Sequence, residues 1–117
     1  MRHRKGIKKL NKPTDQRLAF LVNATKSLIT HSRITTTDTR ASEIQKYVEK
    51  LITICKTDSL HAKRKVFKTL QDKQYVNLVS EIAKNKFQNR NGGYTRIIKK
   101  GFRKGDSALI SLIEFVK

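Results

Sequence analysis

Apolar and polar positions alternate along this chain with two periods, and the change between them divides the sequence. Leu18, Leu21, Val22, Thr25, Leu28 and Ile29 fall at steps of three and four and leave one largely apolar face through about His31, which predicts an amphipathic helix. Pro13-Thr14-Asp15 stands at its start, with Thr14 the expected cap and Asp15 placing negative charge in the first turn, where the macrodipole favours it. Arg33–Thr37 is rich in β-branched residues and predicts a short strand. A second helix begins near Asp38, with Ala41, Ile44, Val48, Leu51, Ile52 and Cys55 as its apolar stripe and Glu43, Lys46, Glu49 and Lys50 towards water.

Asp58 or Ser59 is the expected cap of a third helix that carries Leu60, Val66, Phe67 and Leu70 inward, and His61, Lys63, Arg64, Lys65 and Lys68 outward. Asp72 caps a fourth, with Val76, Val79, Ile82, Ala83 and Phe87 on its buried side. The period then switches to two. Tyr94–Lys99 and Ala108–Val116 read as strands joined by a polar, basic turn containing Gly101, Gly105 and Asp106. Leu109, Ser111, Ile113 and Phe115 share one face of the last strand and Ile110, Leu112, Glu114 and Val116 the other, so it is expected to be central or covered by helices. The expected fold is α/β in the broad sense, of the α+β kind. It is one small domain over 13–117, about four helices packed on a short mixed three-stranded sheet that Arg33–Thr37 joins.

Residues 1–12 do not belong to that pattern. Arg2, Arg4, Lys5, Lys8, Lys9 and Lys12 are positive, nothing is acidic, and Ile7 and Leu10 are too few to build a core. This reads as an extended basic arm, reaching roughly 40 Å at about 3.3 Å per residue and ordering on its partner. A transit peptide would be longer and rich in serine.

Charge narrows the function. Twenty-seven Lys and Arg against nine Asp and Glu give a formal net charge of +18 over 117 residues. A compact body carrying that much like charge repels itself unless a polyanion supplies counter-charge, which makes a nucleic acid the expected partner. Chemistry of other kinds is poorly supplied. Cys55 is the one cysteine and falls on an apolar stripe, so it reads as a small core residue. His3, His31 and His61 are far apart and no CxxC spacing occurs, which argues against a metal site. The nine carboxylates are scattered, and no Ser-His-Asp or Cys-His arrangement stands out, so no enzyme or cofactor is expected. No run approaches the roughly 18 apolar residues of a membrane span, and charge follows Met1 where a secretory signal has its apolar region. A reducing interior is expected.

One segment concentrates the basic signal. Between Ile82 and Gly105 there is no acidic residue, while Lys84, Lys86, Arg90, Arg96, Lys99, Lys100, Arg103 and Lys104 are cationic. Gly92-Gly93 marks a place where the backbone turns or approaches something closely. Tyr94 beside it has two readings, stacking on an exposed base or sugar, or packing into the core. This is no nucleotide-binding loop: it lacks the Walker spacing and precedes a strand where a phosphate loop precedes a helix. Arg33 at the first helix–strand junction and Lys63, Arg64 and Lys65 on the third helix add dispersed charge. Together with the arm they suggest a protein surrounded by RNA, making phosphate contacts indifferent to sequence.

The motifs resemble those of a known family. Met1-Arg2-His3-Arg4-Lys5, Leu51-Ile52-Thr53 leading to Lys56-Thr57-Asp58, Arg90-Asn91-Gly92-Gly93-Tyr94-Thr95-Arg96-Ile97, Gly101-Phe102-Arg103-Lys104-Gly105-Asp106 and the closing Ile113-Glu114 resemble the bacterial-type large-subunit ribosomal protein L17 family over essentially the whole chain. The resemblance implies a one-domain protein embedded in large-subunit ribosomal RNA beside neighbouring ribosomal proteins, with no catalysis, cofactor, small-molecule substrate, membrane or homo-oligomer. The basic arm is expected to contact RNA, with His3 beside Arg2, Arg4 and Lys5 among the contacting residues. Lys12-Pro13-Thr14-Asp15-Gln16-Arg17 and Asp72-Lys73-Gln74 look like the cyanobacterial and plastid branch. Eighteen lysines against nine arginines, with eleven isoleucines, fit an AT-rich genome such as a plastid's, so a chloroplast stroma is expected and bacterial cytoplasm is the alternative. Ser107-Ala108-Leu109-Ile110-Ser111 departs from the family's usual wording.

Overall fold

A computed structural model describes residues 10, 12–57 and 59–116. Nearly all of the expected arm, and Asp58 as a cap, lie outside these residues. The elements run α1 (Thr14–His31), β1 (Arg33–Thr37), α2 (Asp38–Cys55), α3 (Leu60–Leu70), α4 (Lys73–Phe87), β2 (Thr95–Phe102) and β3 (Leu109–Phe115). Four helices on a three-stranded sheet make the small α+β fold that the periodicity predicts.

Local chemistry sets the helix ends. The Ser59 hydroxyl accepts from Ala62 N at 3.1 Å and the Asp72 carboxylate from Gln74 N at 2.9 Å, each satisfying an amide donor that the first turn leaves without a partner. Thr14 does not cap α1. It lies inside the helix, and Pro13 takes the N-cap position, where no side-chain cap forms. Ser32 ends α1 in a left-handed conformation (φ 66°) with its N–H on Leu28 O at 2.7 Å. That reversal sends the chain directly into β1.

The sheet order is β1-β3-β2, so β3 is central as expected. Both pairings are antiparallel, which corrects the expected mixed sheet. The three helices between β1 and β2 carry the chain to the opposite edge, where β2 runs in the same direction as β1, and the β2–β3 hairpin then returns β3 between them, antiparallel to both. Alternation along β3 sorts its two faces. Ser111, Ile113 and Phe115 are buried, while Ile110, Leu112 and Glu114 are half-buried on the other side.

The core gathers Leu28 and Ile29 of α1, Ile44, Val48 and Ile52 of α2, Val66 and Leu70 of α3, Val79 and Ala83 of α4, and Ile113 of β3. Phe87, 1% exposed, closes one end, with ring centroids 5.1 Å from Tyr94 and 6.1 Å from Phe115, within the range of favourable edge-on packing. Ser111 Oγ donates to Asp38 Oδ1 at 2.8 Å and ties the sheet to the first turn of α2.

Several expected orientations are corrected. Leu60 and Phe67, expected inward, are 65% and 43% exposed, because the buried stripe of α3 runs Ala62, Val66, Leu70 at four-residue steps. Leu18 is exposed, since the core begins at Leu21. Glu43, expected to face water, is buried and pairs with Lys46 at 3.3 Å.

Candidate nucleic-acid interface

The glycine loop between α4 and β2 is held from α2. Lys56 Nζ donates to the Arg90 carbonyl and lies 5.4 Å from the Tyr94 ring centroid. The Arg90 Nε donates to Gly93 O at 3.1 Å, and Val116 N donates to Tyr94 O at 3.0 Å. Gly92 and Gly93 have φ of 145° and 61°, and a Cβ at either would meet nothing within 4 Å. The glycines therefore serve the turn itself rather than a close approach within the protein. Tyr94 is 2% exposed. Of its two readings the structure shows the core one: the ring packs on Phe87, and the hydroxyl meets Lys56 Nζ at 3.4 Å.

Next along β2 the cations face outward. Arg33 and Arg96 both stand opposite Glu114 in strand register, one from each neighbouring strand. Arg96 Nε donates to Glu114 Oε1 at 2.6 Å while its side chain stays 55% exposed. One carboxylate between two arginines leaves this sheet face positive, with Ile98 (44% exposed) beside them.

The β2–β3 hairpin extends the positive surface through Lys99, Lys100, Arg103 and Lys104, all exposed. Arg103 grips Asp106 with two bonds, Nε to Oδ1 at 3.0 Å and Nη2 to Oδ2 at 2.6 Å. That bidentate grip, followed by the bond from Ala108 N to Asp106 Oδ1, holds the Asp106 carboxyl down at about 2. Arg103 thus shapes the turn as well as carrying charge.

The α3 cations sit apart. Lys63 and Arg64 line a broad groove of about 870 Å³ between α3 and α4, floored by Leu60, Phe67 and Val76. Lys65 is exposed outside that lining. The structure therefore brings Arg33, Arg96 and the hairpin cations onto the sheet and its extension, places Arg90 in the glycine loop, and leaves Lys63–Lys65 on a helical surface of their own. Lys12 lies 5.6 Å from the Phe20 ring centroid; Arg2, His3, Arg4, Lys5, Lys8 and Lys9 lie outside the described residues.

Phe102, 75% exposed between Gly101 and Arg103, is an exposed aromatic residue to which the sequence analysis gives no role of its own; its glycine and cationic neighbours are the signal that could have found it. Among the described residues no three His, Cys, Asp or Glu side chains cluster as metal ligands, and no helix is long and apolar enough to cross a membrane.

This arrangement can meet phosphates over several faces. Comparison with known proteins decides the lineage. A family model described as Ribosomal protein L17 matches residues 20–116. The chain belongs to the ribosomal protein L17 family. It is 49% identical over 116 residues to the large ribosomal subunit protein bL17 of Dictyoglomus thermophilum, covering 99% of this chain and 100% of that one. A protein of the same name from Clostridium beijerinckii is 48% identical over 111 residues, covering 95% and 98%. The Campylobacter jejuni protein is 49% identical over 117 residues, covering 99% of each. Members of the L17 family are structural and non-enzymatic, in keeping with a surface of dispersed cations.

Proposed function

We propose that this protein is a structural constituent of the large ribosomal subunit that binds and stabilises folded large-subunit ribosomal RNA through dispersed phosphate contacts. The observation that carries the reading is the acid-free run from Ile82 to Gly105 folded as a glycine loop and basic hairpin on a body of formal charge +18. Membership of the L17 family supports the assembly, and phosphate neutralisation supplies the counter-charge that an isolated fold of this charge lacks.

The cations are proposed to act in three groups. Residues 1–12 thread between RNA helices as an arm. Arg90, Arg33, Arg96 and the hairpin lysines bind phosphates along the sheet, and Lys63, Arg64 and Lys65 reach a further strand from α3. Neighbouring ribosomal proteins complete the surroundings of a single copy. The named relatives are bacterial, which supports a ribosome of bacterial type, in bacterial cytoplasm or in a plastid stroma.

Sedimentation through a high-salt sucrose gradient tests the assignment. Salt weakens loose phosphate binding, with log K falling by roughly 0.7–0.9 per unit of log salt for each phosphate neutralised. An embedded subunit stays with the large particle in one-to-one amount. Release of all the protein to the top fractions would make it a free-standing nucleic-acid binder.

A further inference from the structure

We propose that Phe102 is a base-stacking residue, its ring presented by the β2–β3 hairpin to an unpaired base of the bound RNA. The proposal rests on the RNA-binding reading above and deepens it by naming a residue that discriminates looped from duplex RNA.

Phe102 is the most exposed of the large apolar side chains described, at 75%. Its exposure belongs to an ordered tip. Arg103 N donates to Ala108 O at 2.8 Å, Ser107 N to Arg103 O at 2.9 Å, and Arg103 and Asp106 close the turn with two side-chain bonds. The strand register shifts between Lys99 and Gly101, where Gly101 has φ of 134°. Such a bulge re-aims the side chains that follow it, and here Phe102 follows, opposite Leu109. The ring thus stands exposed on a strand end whose backbone those bonds hold.

The surroundings select the partner. Lys99, Lys100 and Lys104 stand within three residues of the ring, and the nearest acid, Asp106, is engaged by Arg103. Lysine is depleted at the cores of protein–protein interfaces. An aromatic face among cations is instead the arrangement that recognises single-stranded or looped nucleic acid, where the lysines hold the backbone and the ring takes a base. Duplex regions keep their bases stacked and offer the ring nothing.

The full chain should be titrated with two RNA probes, a stem-loop carrying 2-aminopurine in its loop and a blunt duplex of similar length. Phe102→Ala is expected to weaken the stem-loop about tenfold, abolish the change in 2-aminopurine fluorescence, and leave the duplex unaffected. Phe102→Tyr should restore both stem-loop signals, and Phe102→Leu should restore neither. The triple variant Lys99→Ala, Lys100→Ala, Lys104→Ala should weaken both RNAs. Wild-type behaviour of Phe102→Ala on the stem-loop, with the lysine variant still impaired, overturns the stacking role while the phosphate reading stands. Absence of binding to either RNA by the unaltered chain overturns both.

Discussion

Glu49 Oε1 accepts two hydrogen bonds from Thr95, one from its backbone N–H at 3.2 Å and one from its hydroxyl at 3.1 Å. Gln45 of α2 adds a bond from its Nε2 to the Thr95 carbonyl at 3.3 Å. Thr95 is 5% exposed and opens β2 directly after the glycine loop, so α2 sets where the basic segment leaves the core. Glu49→Ala strips a buried donor of its acceptor, which costs about 1–3 kcal/mol. The urea midpoint should fall by roughly 1 M at the slopes usual for small domains. Glu49→Gln keeps an acceptor oxygen and should lose about 1 kcal/mol or less. Equal midpoints for wild type and Glu49→Ala would show that α2 does not hold the strand in solution.

That clamp shows where the linear pattern stops being informative. The pattern turns Glu49 towards water because a carboxylate on a helix ordinarily faces it; its partner lies 46 residues away, beyond the reach of any local period. Helix phases are legible where one stripe dominates, as in α2, but not in α3. Leu60 and Phe67 are as apolar as Val66 and Leu70, and only packing decides which stripe turns inward. Tyr94 is similar: its residue type suits a base or a core equally, and Phe87 settles the matter. The centrality of β3 is readable from its two apolar faces, whereas the direction of β1 is not, since three intervening helices permit either sense. The positive segments are legible throughout, because charge is counted without knowing the fold.

Cys55 is 2% exposed, and burial pushes its thiol up from the ordinary value, with the Ser80 hydroxyl at 4.0 Å and the charge of Lys63 opposing that rise. A protonated, enclosed thiol is a poor nucleophile. A thiol-specific disulfide reagent should therefore leave the folded protein unmodified at mildly alkaline pH and label one thiol per chain across the urea unfolding transition. Rapid labelling without urea would contradict its placement in the core.

Arg90 and Arg96 make internal bonds and remain exposed. Arg96 is exposed but its partner Glu114 is half-buried, so replacing both arginines by alanine should cost a modest amount of stability, about 1–2 kcal/mol. RNA binding should weaken by a few kcal/mol at most, as expected for about two charge-assisted hydrogen bonds. The salt dependence should flatten by about one unit of slope for each phosphate no longer neutralised. Unchanged affinity and slope would assign both arginines to purely internal duties.

Deletion of residues 1–12 tests the proposed arm. The described core begins at Leu21, and the truncated chain gives up the cation–π pairing of Lys12 with Phe20, which is worth about 0.5–1 kcal/mol at an exposed site. The shortened protein should keep a single cooperative melt and fail to enter large subunits at normal efficiency. Loss of the cooperative transition would mean that the segment belongs to the fold, and normal incorporation would mean that it makes no essential bond to RNA.

The hairpin turn carries its own pH signature. Asp106 sits at about 2 in the folded protein against about 3.9 in an unfolded chain. Because the folded value is the lower one, the stabilisation from the carboxylate is fully present above the unfolded value and is lost as pH falls through about 2. The cause is first the two-bond grip of Arg103 and then the Ala108 amide. An NMR titration following the Asp106 carboxyl and the Ala108 amide should therefore show a midpoint near 2 in wild type. Arg103→Gln should move that midpoint up towards the ordinary carboxylate range, and Asp106→Asn should remove the transition altogether. A wild-type midpoint already near about 3.9 would show that Arg103 and Asp106 are not paired in solution, and their hold on the strand end at Phe102 would be absent.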